Sequence, residues 1–322
     1  MTNSNQQQFS DLERSVLRTL AFFDIFDYPL TLVELHKWLY QPARQHNLSD
    51  ILTVVQSENL KGIIQHQFGF YFFAGRQAII RIRLERYQIA EKKFKIALKT
   101  VRFLRWLSVV EMVAVCNNVG YNNGTEKSDI DFFMIISKGR LWWGRLMITL
   151  ITTILGVRRH GVRIVDRVCL SFYTATNHLN LTDISLKPLD PYLVYWFATL
   201  APIYSKQKTY QNFMAANDWL KTDLPNFYQT HLTSRREITD SPLVVAYHKL
   251  DRFFVTSWLG RWAERFAQLI ETRHVKGYLG DAMNQNNTHV IISSDMLKFH
   301  KIDRRDQYRQ AFLDRLIKLR LV

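Results

Sequence analysis

The chain has 322 residues, 47% hydrophobic and 22% charged, with 12 Gly and 7 Pro. That is globular composition with length for two or three domains, and it excludes collagen-like, low-complexity and wholly disordered chains. Lys and Arg outnumber Asp and Glu by 43 to 28, a formal net charge of +15, which favours polyanionic partners without choosing a fold.

In chain order, residues 1–9 are polar and Gln/Asn-rich, with no charged segment leading into an apolar one, so no signal peptide is expected. Ser10 with Glu13, and Thr31 with Glu34, are capping boxes that predict helices over 10–23 and 31–40. A third helix is expected over 48–59. Two β-branched and aromatic runs, 62–66 and 70–73, flank Gln67-Phe68-Gly69 and predict a hairpin. Three short helices and a hairpin have the layout of a winged helix-turn-helix, over residues 1–75. Residues 76–106 lack Gly and Pro and carry ten Lys/Arg against Glu85 and Glu91, which predicts a basic connector helix. Ile82, Ile89, Ile96 and Phe103 recur every seven residues along it as an apolar stripe.

From 107 to 180 the period changes to that of strands: 109–116, 130–136 and 162–173, with an apolar helix over 140–155 between the last two. Residues 181–322 read as helical, at 191–203, 210–220, 243–270 and 304–319. The expected class is α+β: an N-terminal winged-helix-like domain, a small mixed sheet with helices, and a helical C-terminal region. The apolar run 146–157 is 12 residues long, short of the ~20 that span a bilayer, and 243–270 holds too many charges. No transmembrane segment is expected, although Trp258–Arg265 leaves interfacial contact open. Two cysteines, Cys116 and Cys169, cannot form a disulfide framework and stand at no zinc-ligand spacing, so a reduced, cytoplasmic protein is expected.

The segment with most chemistry is Ser128-Asp129-Ile130-Asp131-Phe132-Phe133. Strand alternation puts Asp129 and Asp131 on one face, about 7 Å apart. Two such carboxylates repel unless a cation lies between them, and Mg²⁺ bridging to phosphate oxygens suits the pair. The preceding Asn117-Asn118-Val119-Gly120-Tyr121-Asn122-Asn123-Gly124 is a loop whose backbone could approach phosphates. A structural role for the carboxylates is the competing reading. This stretch resembles the polymerase-β-type nucleotidyltransferase superfamily, in which a strand and a Gly-Ser loop precede Ser-Asp-(Ile/Val)-Asp on the next strand. The motif-bearing likeness covers about residues 109–175. The wider order is similar to bacterial nucleotidyltransferase-domain proteins with an N-terminal winged-helix-like domain.

The resemblance implies Mg²⁺-dependent transfer of a nucleoside monophosphate from an NTP to an unspecified acceptor, with a two-ion site possible. By position Asp129 and Asp131 would ligate metal, and Asn117, Asn118, Gly120, Gly124 and Ser128 would contact the nucleotide. Two departures stand out: Asn117-Asn118 replaces Gly-Ser, and the strand that should bear a third carboxylate has none, leaving Asp166 as the nearest candidate. The alternative is therefore a catalytically degraded member acting as a binding or regulatory module. Residues 48–59 contain Asp50 and Glu58 but no Lys or Arg, which argues against sequence-specific DNA reading. Nucleic acid could instead meet the basic helix, residues 158–163 or the tail 298–320. No H-E-x-x-H or G-x-S-x-G segment supports a zinc or serine hydrolase.

Overall fold

The computed structural model describes residues 9–229, 233–279, 288–300 and 302–321. It opens with helix α1 (Asp11–Asp24), strand β1 (Leu30–Thr31) and helices α2 (Leu32–Lys37) and α3 (Leu48–Val54); strands β2 (Ile64–Gln67) and β3 (Phe70–Phe73) follow. Both expected capping boxes form, and Asn47 with Asp50 makes a third at the start of α3. The predicted hairpin turns on Phe68 and Gly69, both at positive φ, the pairing that suits a two-residue loop between twisted strands. β1 adds to it, giving a three-stranded antiparallel sheet in the order β1-β3-β2. Helix α3 stops at Val54 rather than near 59. Beyond it the Ser57 hydroxyl and the Asn59 amide donate to the Glu13 carboxylate, which draws the chain off the helical path.

Helix α4 (Ala78–Leu104) is the long basic helix, but its buried face is not the expected seven-residue stripe. Ala90, Phe94, Ala97, Val101 and Leu104 are buried, while Phe103 is 46% exposed. The inward stripe lies one residue along, where small Ala90 and Ala97 let the helix approach its neighbours. Part of the basic charge here is internal: Arg76, just before α4, pairs with Asp24 and Asp27, and within it Arg83 pairs with Glu34 and Arg86 with Asp27. The Arg83 guanidinium is sandwiched by Tyr28 and Phe70, 4.1 and 4.7 Å from their ring centroids.

The larger sheet comprises β4 (Val110–Val115), β5 (Ile130–Ile136), β6 (Val168–Ala175), β7 (Ala201–Ser205), β8 (Val290–Ile292) and β9 (Met296–Phe299). Among the described residues its order is β7-β4-β5-β6-β9-β8. β5 and β6 are parallel, joined by helix α6 (Leu141–Ile154), and the other neighbours are antiparallel. The four-residue helix α5 (Asn117–Gly120) links β4 towards β5. The remaining helices are α7 (Pro191–Ala198), α8 (Thr209–Ala216), α9 (Leu220–Asp223), α10 (Pro242–Thr256), α11 (Trp258–Leu279) and α12 (Arg305–Lys318).

The region after 181, expected from the sequence to be helical, also supplies three strands among the described residues. The helix expected over 191–203 ends at Ala198 because Pro202 lacks the N–H a helix interior requires. Pro202 sits instead in β7, an edge strand, where a missing donor is tolerated. The long helix expected over 243–270 breaks at Ser257 between α10 and α11. Here the chain turns so tightly that a Cβ on Gly260 would lie 2.2 Å from the Val255 carbonyl oxygen.

Alternation along β5 divides the core. Phe133 and Ile135 belong to one cluster with α1, Tyr195, Trp196 and Phe312; Phe132, Met134 and Ile136 belong to another with Phe94, Leu141 and Ile148. The N-terminal unit and α7 and α12 therefore pack on one face of the sheet, and α4 and α6 on the other. Residues 9–75 share a continuous apolar core with the C-terminal region.

Candidate functional site

Asp129 and Asp131 lie at the start of β5, in phase with Phe133 on the face that carries the N-terminal unit. The parallel register sets Asp131 opposite Cys169 on β6. One ligand atom from each of Asp129, Asp131 and Cys169 lies within 4.8 Å of the other two. Asn117, at φ +54°, is in the left-handed region that Asn tolerates better than most residues. Its Nδ2 donates to Asp131 Oδ2 at 2.8 Å, and its Oδ1 accepts from the Tyr192 hydroxyl at 3.1 Å. Arg159 reaches across to Asp129 Oδ2 at 2.5 Å.

Burial, and then the Asp129 charge, push the Asp131 carboxyl up to about 6, against hydrogen bonds from Asn117 and Cys169 and the field of Arg159. Burial also pushes the Cys169 thiol far above its ordinary value, with the two carboxylates adding to the rise. The thiol therefore stays protonated and is no donor for a hard cation. The two carboxylates do suit one, because Mg²⁺ commonly takes one or two carboxylates and completes its shell with water and phosphate.

Asp166 does not join this group. Its backbone adjoins Ser128, but its carboxylate turns to the Lys93 ammonium at 2.6 Å. Lys93 is buried in α4 and also donates to the Ser128 carbonyl at 2.8 Å, so a buried cation captures the nearest spare acid. Ser128 itself closes a turn, its hydroxyl donating to the Thr125 carbonyl at 2.9 Å. Asn118 accepts from the Tyr121 hydroxyl at 2.8 Å. Gly120 is there for close packing, since a Cβ would stand 3.0 Å from both the Thr199 and Val115 carbonyl oxygens, and Gly124 faces the Lys93 stem and Val119. Of the residues expected to contact nucleotide, Asn117 alone has a side chain hydrogen-bonded to the carboxylate pair.

Beside the pair opens a cavity of about 190 Å³, sharing Asn117 and lined also by Tyr192, Trp196, Lys298, His300 and Tyr308. Tyr192 and Tyr308 stack with centroids 5.2 Å apart. Arg304 and Arg305 also line it; the buried Arg305 pairs with Asp190 and Asp303, and Lys298 with Asp303. Burial lowers Lys298 to about 8. Burial and the neighbouring cations hold His300 at about 3, hence neutral. His300 shares a hydrogen bond of 3.1 Å with Ser171, two residues along β6 from Cys169. Asn117, which lines the cavity and donates to Asp131, is the side chain that links it to the carboxylate pair.

Nothing in the sequence signals a site role for Cys169, whose place depends on the register between β5 and β6. Arg159 was legible only as part of a basic run, and Tyr192 and Lys298 lay in segments read as helical core or tail. The expected convergence of basic residues is partial: Arg159, Lys298, Arg304 and Arg305 lie at the pair or its neighbouring cavity, with Arg159, Lys298 and Arg305 already paired to carboxylates there, whereas Arg76, Arg83, Arg86 and Arg315 form their ion pairs elsewhere. Comparison with protein-family models, with curated proteins and with solved structures yields no match to this chain.

Proposed function

We propose that the cleft binds a nucleoside triphosphate with Mg²⁺, and that the chain is a polymerase-β-type nucleotidyltransferase homologue transferring a nucleoside monophosphate to an unidentified acceptor. The observation that carries this reading is the Asp129–Asp131 pair, with Asp131 desolvated, beside a cavity walled by stacked tyrosines and by Lys298, Arg304 and Arg305. Asp129 and Asp131 would hold the ion, whose chemistry is to neutralise phosphate charge. Arg159, paired with Asp129, would add positive charge beside the ion, and Asn117 orients Asp131. The cavity is smaller than the ~300–1,000 Å³ of most ligand pockets, so it suits the base or sugar rather than a whole nucleotide. Among the described residues no third carboxylate joins the pair, so a neutral hydroxyl would find no carboxylate base there; an already ionised acceptor such as a phosphate suits the site better.

A second reading, a binding or regulatory module without turnover, is favoured by Cys169 in the place where the resemblance calls for a carboxylate and by Arg159 on Asp129. Calorimetric titration of each NTP with Mg²⁺ into the wild type and Asp129→Ala/Asp131→Ala tests the shared core of both readings. Metal-dependent binding lost in the double variant is expected, and a wild type that binds no NTP refutes both. Pyrophosphate release with a phosphorylated acceptor separates them: release supports transfer, whereas binding without release across acceptors supports the module.

A further inference from the structure

The outer face of α10 and α11 reverses the usual pattern of a surface helix. Gly260, Ala263 and Ala267 turn inward and are buried, α11 packing along α6, so the large apolar residues are left facing outward. Leu250 is 75% exposed, Phe253 83%, Trp258 67%, Trp262 62% and Leu269 63%, with Phe266 stacked on Trp262. Trp258, Trp262, Phe266 and Leu269 follow helical spacing and form one stripe.

The charges on this segment are sorted just as sharply. Residues 243–273 contain three acids, and all face the protein. Asp251 accepts from the Ser108 backbone N–H at 3.2 Å, Glu264 from the Trp142 and Trp143 N–H groups at 2.9 Å each, and Glu271 is buried against Arg145. The five cations Lys249, Arg252, Arg261, Arg265 and Arg273 are all exposed. The outward surface therefore combines aromatic and aliphatic side chains with positive charge and carries no exposed carboxylate among its described residues.

We infer that this face docks in the plane of an anionic lipid surface, its Trp, Phe and Leu side chains entering the headgroup–acyl boundary and its Lys and Arg meeting lipid phosphates. A face of this composition is what interfacial helices present. Among the described residues no helix is long and apolar enough to cross a membrane, so the contact inferred for this face is an in-plane one. A second copy of the chain is a poorer occupant, because a two-fold contact would set ten cations against one another with no exposed acid opposite. Nucleic acid would satisfy the cations and stack bases on the aromatic rings, but it offers no apolar medium for Leu250 and Leu269.

The test is flotation of the full chain with vesicles of phosphatidylcholine alone or with about 30% phosphatidylglycerol. Wild type is expected to float with the anionic vesicles and to partition at least about tenfold more weakly to the neutral ones. Leu250→Ser/Phe253→Ser/Trp262→Ser should cut partitioning at least about tenfold with an unchanged circular dichroism spectrum. In the wild type, lipids brominated along the acyl chain should quench tryptophan emission, a readout independent of the variant's fold. The inference is overturned if wild type does not float, if the folded triple variant floats equally well, or if brominated lipid leaves emission unchanged. It is also overturned if sedimentation shows a wild-type dimer that the triple substitution separates while vesicles capture neither.

Discussion

Replacing Asp131 with Asn should stabilise the protein, because a carboxylate held for ligand binding is costly in the free fold. The folded-state value of about 6, against 3.8 for an ordinary Asp, corresponds to about 3 kcal/mol at about 1.4 kcal/mol per pH unit. Asp131 is only half-buried and shares its charge problem with Asp129, so about 1–2 kcal/mol is the expected effect. Because the folded-state value is raised, the native state keeps a proton that the unfolded chain loses first. Wild-type stability therefore falls as pH rises from about 4 to 6 and stays lowered above that. Asn carries no charge at any of these values and can still accept from Asn117. In urea denaturation, Asp131→Asn should exceed wild type by about 1–2 kcal/mol at pH 7.5, and most of that advantage should vanish by pH 4. Added Mg²⁺ should stabilise wild type more than the variant. A variant less stable than wild type at pH 7.5, or one whose advantage is the same at both pH values, would refute the assignment of Asp131 as the desolvated member of the pair.

Three further substitutions probe the surroundings. Asp166→Asn should leave Mg²⁺–NTP affinity within about twofold, since its carboxylate is turned to the buried Lys93 and away from the Asp129–Asp131 pair; a loss of more than tenfold in calorimetry would return Asp166 to the metal site. Gly120→Ala should cost about 1–3 kcal/mol in denaturant unfolding, because the added methyl meets two backbone carbonyls at 3.0 Å; a neutral effect would mean that α5 shifts freely. Arg83→Lys should destabilise by about 2 kcal/mol despite keeping the charge, because the ammonium can neither fork onto Glu34 nor fill the slot between Tyr28 and Phe70; an unchanged denaturation midpoint would show that charge alone holds α4 to the N-terminal unit.

Local rules made much of this chain legible. Capping boxes placed the starts of α1 and α2, since Ser10 and Thr31 act through residues three positions away. The two-residue period put Asp129 and Asp131 on one face before any partner strand was known. Those signals depend on neighbours within a few residues, and the folded chain keeps them. They faltered where burial overrides pattern: the seven-residue repeat of α4 pointed one residue away from its buried face, because Ala90 and Ala97 rather than the isoleucines permit the closest approach.

The sequence by itself thus determined the local elements, the carboxylate pair and the basic character of the chain. Only the tertiary structure decided what surrounds that pair. Cys169 faces Asp131 through a parallel register spanning a helix and a loop, and Asp166 is withdrawn by a lysine 73 residues away in sequence. Tyr192, Lys298 and Tyr308 reach the cleft from segments that reading by periodicity assigned to helical packing or to a tail. These contacts join residues far apart along the chain, and loop closure, strand register and competition for buried charge settle them; none of the three leaves a periodic trace in sequence.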